Sequence, residues 1–191
     1  MPKASAVSKK DFFIGYLYIS PFSNEGIYTG AVMITDFRGI PVDFNYVEPI
    51  KPTRLERVLY GNALEAYLRE ELILQNLVKS VTKKPEVLIC QDSSLVVPAR
   101  SLVKYPVIAI EQYSGLPLET AGTYERLPDG ECFIYQVEEV GPPIKVCFGF
   151  SPQQAEVEAL LHILKEAAGY MDLLEPFRRI VKALDVIIEE C

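Results

Sequence analysis

The chain has 191 residues, of which 49% are hydrophobic and 24% are charged. This length and composition exclude intrinsic disorder and allow a packed core without a disulfide framework or a structural metal. The 19 basic and 26 acidic residues give a formal net charge of -7, so we expect no overall attraction to the phosphate backbone of nucleic acids.

The N-terminal residues 1–10 contain three lysines and precede a short apolar stretch, Phe12 to Ile19, that Gly15 interrupts. This stretch is shorter than the ~20 residues that span a bilayer, and it lacks a signal-peptide cleavage pattern. We therefore expect a flexible N-terminus (residues 1–10), a single domain over residues 1–191, and a soluble, cytoplasmic protein that does not enter a membrane.

The first half of the chain predicts three strands followed by a long helix. Phe12 to Ile19 is almost continuously apolar, which is typical of a strand covered on both faces. Tyr28 to Thr35 and Ile40 to Val47 flank turn residues and predict a hairpin. Thr53 and Glu56 form a capping box that starts the helix. On a wheel of about 100° per residue, the core-facing stripe of this helix comprises Leu55, Leu59, Ala63, Ala66, Ile73, Leu77 and Val81.

The second half of the chain predicts five short strands and two helices. The strands are Glu86 to Gln91, Val107 to Ile110, Tyr124 to Leu127, Glu131 to Val137 and Ile144 to Phe150. Ser151 and Pro152 start a helix that runs to about Ala168, and an amphipathic helix follows. The fold class is therefore α/β or α+β, with a mixed, largely antiparallel sheet of about six or seven strands and three main helices.

The four cysteines do not form a metal-binding pattern. They lie far apart, no C-x-x-C pair is present, and His162 is the single histidine, so we expect no zinc site. Cys90, Cys132 and Cys147 lie in strand-like surroundings, where cysteine acts as a small hydrophobe rather than as a reactive thiol. Cys191 is the exposed exception.

Glu70 is the residue that departs most from its surroundings, because the wheel places it in the middle of the apolar stripe of the first long helix. A carboxylate in an apolar interior must be protonated, paired or metal-bound. One interpretation is a salt bridge to a nearby Arg or Lys, or a solvated gap at a helix kink near Gly61. The other interpretation is a divalent-cation site that Glu70 shares with Asp92, which follows an apolar strand.

The order of these elements resembles the ribonuclease H-like fold, and in particular endonuclease V. The resemblance rests on Leu68-Arg69-Glu70, on the stretch from Pro85 to Asp92, on Pro98-Ala99-Arg100 and on Val107 to Ile110. It implies a divalent-metal-dependent nuclease in which Glu70 and Asp92 are catalytic. Glu111 or Asp36 would be the third carboxylate, and Glu70, Asp92 and Glu111 would hold Mg²⁺ or Mn²⁺.

The chain departs from this family at three places. Leu17 stands where the first strand of the family has its essential aspartate. Ser93 replaces the glycine that follows the second aspartate, and Glu111 and Gln112 stand where the family has a lysine. These departures predict an incomplete nuclease site.

Two function hypotheses follow, from different classes. The first is a non-catalytic binding or assembly module on a degenerate ribonuclease H-like fold, with no cofactor and with a protein partner or a second copy of itself rather than nucleic acid. The alternative is the metal-dependent nuclease that uses Glu70 and Asp92. An interaction module of the profilin or longin type also fits a sheet between helices, although no motif points to it.

Overall fold

The computed structural model describes residues 12–20 and 26–190, so the predicted flexible segment 1–10 and Cys191 lie outside the described residues. The strands are β1 (Phe13–Ile19), β2 (Tyr28–Asp36), β3 (Pro41–Ile50), β4 (Val87–Cys90), β5 (Val107–Gln112), β6 (Tyr124–Arg126), β7 (Cys132–Tyr135) and β8 (Ile144–Cys147). They form one sheet in the order β3-β2-β1-β4-β5-β8-β7-β6. Strand β4 is parallel to both β1 and β5, and the other neighbours are antiparallel. The mixed, largely antiparallel sheet is confirmed, with eight strands rather than six or seven.

Helices cover both faces of this sheet. The helical segment between β3 and β4 comprises α1 (Arg54–Tyr60), a 3-10 turn (Gly61–Ala63), α2 (Leu64–Ala66), a π-helical stretch (Tyr67–Leu74) and α3 (Gln75–Ser80). A 3-10 turn (Ser93–Leu95) and α4 (Val96–Leu102) connect β4 to β5, and α5 (Gln154–Ala168) and α6 (Glu175–Glu190) follow β8. The sequence did not predict α4, because this helix is short and contains a proline.

Two apolar cores result, one on each face of the sheet. The front core packs the segment from Leu64 to Val78, together with α4, against Leu17 and its neighbours. The back core packs α5 and α6 against Tyr16 and the back-facing residues of the other strands. The central strand β1 is therefore covered on both faces, as its continuous apolar sequence predicts.

One of the two predicted helix caps is confirmed and the other is wrong. Thr53 starts α1 as predicted: its hydroxyl accepts a hydrogen bond from the backbone N–H of Glu56 (3.2 Å), and the Glu56 carboxylate accepts one from the backbone N–H of Thr53 (2.7 Å). For α5 the prediction of Ser151 is wrong. The reciprocal cap there is made by Gln153 and Glu156, two residues further along the chain.

The predicted stripe of the long helix is wrong in its N-terminal half and correct at Ile73 and Leu77, which are buried, because the segment is not a uniform α-helix. A 3-10 turn has fewer residues per turn than an α-helix and a π-helix has more, so each changes the phase of the wheel. Leu55 and Leu59, which were expected in the core, are 66% and 71% exposed. The residues that are buried instead include Leu64, Leu68 and Leu74.

The cysteines of the sheet have two different structural roles. Cys132 and Cys147 are directly opposite each other on β7 and β8 and form a disulfide. The prediction that they are unpaired small hydrophobes is therefore wrong, although both are buried. Cys90 is a free thiol that is fully buried, as predicted. Burial raises the pKa of this thiol well above its usual value, so the reactive thiolate is disfavoured.

Among the described residues, no helix combines the length and the apolar character that crossing a bilayer requires.

Candidate functional site

The carboxyl ends of the parallel strands β1, β4 and β5 border a groove, and this edge is where open sheets of this kind bind ligands. A first cavity of about 330 Å³ is lined by Tyr18, Ile19, Gln91, Asp92 and Glu111. A second cavity of about 670 Å³ shares Gln91 and Glu111 with the first and extends along α6. We call these two cavities together the carboxyl-edge groove.

Asp92 is fixed in the groove by two hydrogen bonds, one to each carboxylate oxygen. Oδ1 accepts from the backbone N–H of Ser94 (2.9 Å), and this bond caps the turn that leads into α4. Oδ2 accepts from Nη2 of Arg69 (2.5 Å). Partial burial alone raises the pKa of Asp92, but the bonds from Arg69 and Ser94 outweigh it, so the pKa lies below its usual value. Asp92 is therefore a carboxylate at neutral pH.

Arg69 links this strand end to the helical segment on the front face. Its Nη1 lies 3.7 Å from Oε1 of Glu65, one helical turn earlier, while Nη2 binds Asp92. The side chain of Arg69 is 14% exposed. The guanidinium thus lies between a helix carboxylate and the carboxylate at the end of β4, and it neutralises both.

The first strand contributes no acid to the groove. In the parallel pairing of β1 with β4, Leu17 is opposite Cys90, two residues before Asp92. Both Leu17 and Ile19 are buried in the front core, on the face where Asp92 meets Arg69. The position at which the family resemblance implies an aspartate is therefore filled by an apolar side chain.

Glu70 does not point into the core. Its side chain is exposed, and it lines neither cavity of the carboxyl-edge groove. The helical wheel predicted the wrong face for Glu70 because this residue lies within the π-helical stretch and follows the 3-10 turn that changes the helix phase. The predicted burial of Glu70 is wrong. The helix carboxylate that reaches towards Asp92, through Arg69, is Glu65.

The two candidates for a third carboxylate have different positions. Glu111 lines the same cavity as Asp92, and its Oε2 lies 3.6 Å from Nζ of Lys145 on β8. Asp36 is paired with Phe13 at the beginning of β1, which is the opposite edge of the sheet. There Asp36 closes a turn through bonds to Arg38 and to the backbone of Ile40. The structure thus brings Glu111, but not Asp36, to the groove.

Sequence reasoning did not identify the residues that α6 contributes to the groove. Lys182 and Asp185, one turn apart on α6, line its larger cavity. Burial, together with the nearby Asp185 carboxylate, raises the pKa of Tyr18, and Arg69 acts in the opposite direction. Tyr18 therefore remains a neutral phenol. No local sequence signal indicated this role, because the strong apolar stripe of α6 predicted only that the helix packs on the sheet.

No family model matches the chain, and no curated protein matches it in sequence. Solved structures of endonuclease V do match it in fold. The enzyme from Bacillus subtilis aligns with a TM-score of 0.62 at 14% identity, covering 96% of this chain and 84% of that one. The enzyme from Streptomyces avermitilis aligns with a TM-score of 0.63 at 15% identity, covering 93% and 82%. The chain has an endonuclease V-like fold.

A third endonuclease V, from Ciona intestinalis, was crystallised with a 23mer DNA that contains an inosine followed by a ribo-adenosine. It aligns with a TM-score of 0.55 at 14% identity and covers 94% of this chain and 86% of that one. At these identities the likeness establishes the fold alone. It confirms the resemblance that the sequence motifs indicated.

The residues at the carboxyl edge of this endonuclease V-like fold do not fit the two divalent cations that the family resemblance implies. Two-metal sites need several carboxylates that converge on one point. Here β1 supplies Leu17, Glu70 is exposed outside the groove, and one oxygen of Asp92 is bonded to Arg69. Within residues 12–20 and 26–190, no group of three or more His, Cys, Asp or Glu side chains is arranged to hold a metal ion.

Proposed function

We propose that the protein is a non-catalytic binding module built on an endonuclease V-like fold. The observation that carries this proposal is the ion pair between Arg69 and Asp92. The guanidinium takes the carboxylate oxygen that a divalent cation would need, and it has Glu65 on its other side. A cation that belongs to the chain itself thus replaces a bound metal, and the proposed module needs no cofactor.

The outer surface of α1 supports a binding role. This helix has no buried residue, and contiguous exposed apolar surface is typical of an interaction site. Its large apolar side chains are between 40% and 73% exposed, and they are Leu55, Val58, Leu59 and Tyr60. The partner that we propose is a second copy of the chain, whose own α1 would cover these apolar side chains. The net charge of -7 on each copy opposes association, and Lys51 and Arg54 beside this surface reduce that repulsion locally.

The mass of the protein in solution tests this partner. We expect light scattering to give the mass of a dimer for the wild type and of a monomer for the double variant Leu55→Ser, Leu59→Ser. Val186→Ser removes an apolar side chain of α6 that is 52% exposed, and this control should remain dimeric. A wild-type protein that is monomeric at high micromolar concentration would exclude self-association through α1.

The second candidate function is metal-dependent cleavage of nucleic acid. It is favoured by the endonuclease V-like fold and by the position of Asp92 and Glu111 in one cavity. This candidate requires a cation to displace Arg69 from Asp92. It also requires Mg²⁺ or Mn²⁺ to bind where β1 offers no carboxylate.

A cleavage assay separates the two functions. The substrate is a 23mer DNA containing an inosine, of the kind bound by the Ciona enzyme, incubated with Mg²⁺ or Mn²⁺. For a non-catalytic module we expect no cleavage, no retention of the DNA in a gel shift, and no change in melting temperature on adding Mn²⁺. Metal-dependent cleavage that is present in the wild type and lost in Asp92→Asn and Glu111→Gln would establish the nuclease instead.

We propose a cytoplasmic location, and the redox state of the Cys132–Cys147 disulfide in the cell tests it. Disulfides such as Cys132–Cys147 are rare in the reducing cytosol of mesophiles. Alkylating free thiols at the moment of cell lysis, followed by mass spectrometry of the peptides, shows whether these two cysteines are reduced in the cell. Full protection of both from alkylation would indicate an oxidising compartment.

A further inference from the structure

A separate cavity, of about 470 Å³, lies at the opposite edge of the sheet, where β5 begins and β8 ends. We call it the amino-edge cavity. Its floor is apolar and buried: Ile108, Phe148 and Leu160 are each less than 5% exposed. The volume lies within the range of sites that enclose small organic ligands. None of its lining residues contributes to the carboxyl-edge groove.

The rim of the amino-edge cavity carries two cations, Arg100 and Lys104. The guanidinium carbon of Arg100 lies 3.6 Å from the centre of the Phe150 ring, which covers one face of the group and leaves its N–H edges available. Within the described part of the chain, neither cation has an ion-pair or hydrogen-bond partner for its side chain. The one rim carboxylate, Glu156, is bonded to the backbone N–H of Gln153 at the start of α5.

We propose that the amino-edge cavity binds a small organic anion with an aromatic body, such as an aryl carboxylate or sulfonate. The apolar floor accepts the body, since burying apolar surface drives its entry. The rings of Phe148 and Phe150 stand nearly perpendicular to each other, at 85°, and offer edge and face contacts to a flat guest. Arg100 and Lys104 bind the anionic head group at the rim.

Charge complementarity supports an anionic ligand rather than a neutral one. The chain as a whole has an excess of seven acidic residues, yet the rim of this cavity has two cations and one carboxylate. The inference does not depend on the proposed function, because the two sites share no residue. It stands whether the protein is a non-catalytic module or a nuclease.

A pair of matched dyes tests the role of the two cations. The first is 8-anilinonaphthalene-1-sulfonate, and the second is N-phenyl-1-naphthylamine, which has the same ring system without the sulfonate. We expect both to bind the wild type with increased fluorescence. In the double variant Arg100→Gln, Lys104→Gln we expect about tenfold weaker binding of the sulfonate, which loses charge-assisted hydrogen bonds, and unchanged binding of the neutral dye.

A second pair of variants tests the position of the site. Ala159 lines the cavity on α5, and Ala155 is an exposed alanine one turn earlier that does not. Ala159→Phe should abolish the binding of both dyes, and Ala155→Phe should leave both affinities unchanged. Equal sulfonate affinity in the wild type and the Arg100→Gln, Lys104→Gln variant would overturn the proposal. Equal dye binding by the two Phe variants, or no binding by the wild type, would also overturn it.

Discussion

Replacing Asp92 by Asn should destabilise the protein more than replacing Asp172 by Asn, although the two aspartates make the same set of bonds. Each accepts a hydrogen bond of 2.9 Å from the backbone N–H two residues further on. Each also accepts one of 2.5 Å from an arginine Nη2, from Arg69 and Arg178 respectively. The pairs differ in burial. The side chains of Arg69 and Asp92 are 14% and 40% exposed, whereas those of Arg178 and Asp172 are 64% and 53% exposed.

Burial sets the expected magnitude. A hydrogen bond to a charged group contributes about 1.5–3 kcal/mol, and the partial exposure of Asp92 reduces this through solvent screening. We therefore expect Asp92→Asn to lower the free energy of unfolding by about 1–2 kcal/mol, which corresponds to a melting temperature lower by roughly 2–8 °C for a chain of this size. For Asp172→Asn we expect about 0.5 kcal/mol or less, as for other exposed ion pairs.

The contribution of Asp92 should also depend on pH, with a definite sign. The pKa of Asp92 in the folded state lies below its ordinary value of 3.8. A depressed pKa contributes stability that is fully present above the unfolded pKa and is lost as the pH falls through the folded pKa. The difference between the wild type and Asp92→Asn should thus be constant from pH 7 to about pH 5 and should shrink at lower pH.

Urea unfolding, followed by circular dichroism, measures these free energies. A double-mutant cycle with Arg69→Met isolates the coupling between Arg69 and Asp92 from other effects of each substitution. If Asp92→Asn and Asp172→Asn changed the free energy of unfolding equally, or if the coupling energy were near zero, burial would not strengthen the Arg69–Asp92 pair. Arg69 would then not act as a fixed cation for Asp92.

Three further predictions concern the sheet. Because the Cys132–Cys147 bond closes a 15-residue separation, the Cys132→Ala, Cys147→Ala variant should lose about 3 kcal/mol of unfolding free energy in urea, and dithiothreitol should have no effect on it. Gly30→Ala should lower the free energy of unfolding by about 1–3 kcal/mol, since its Cβ would lie 2.8 Å from a backbone oxygen of β1. In the control Gly169→Ala the nearest atom to the new Cβ is at 3.4 Å, so its free energy of unfolding in urea should stay close to that of the wild type. Cys90 should resist iodoacetamide at pH 8 until urea unfolds the chain, as peptide mass spectrometry would detect, and rapid labelling of the native protein would contradict its burial.

The strands and the first helix cap could be predicted from the sequence because their signals are local. The apolar run of β1, the turn after β2 and the Thr53 cap each depend on residues a few positions apart. The phase of the first helical segment could not be predicted, because a 3-10 turn and a π-helical stretch depend on how Leu64 and Leu74 pack on the sheet. Two small changes of phase were enough to move Glu70 from the predicted core to the surface.

The candidate site was predicted in part. Asp92 was identified because a polar residue after an apolar strand reaches the edge of a sheet, and Glu111 was one of two candidates, with Asp36, for a third carboxylate. The partners of these acids, Arg69 and Lys145, come from other elements, and only the tertiary structure brings them together. The disulfide could not be predicted for the same reason, because the register of β7 and β8 decides which cysteines are opposite each other.

The guanidinium of Arg69 keeps a positive charge permanently beside Asp92. A metal ion exchanges with solvent, so the charge it supplies depends on the free metal concentration and vanishes when a chelator is added. The guanidinium of Arg69 is covalently part of the chain, so it has no dissociation rate. The positive charge beside Asp92 is thus a property of the covalent chain, and it stays constant in surroundings where a groove that relied on a bound metal would alternate between loaded and empty states.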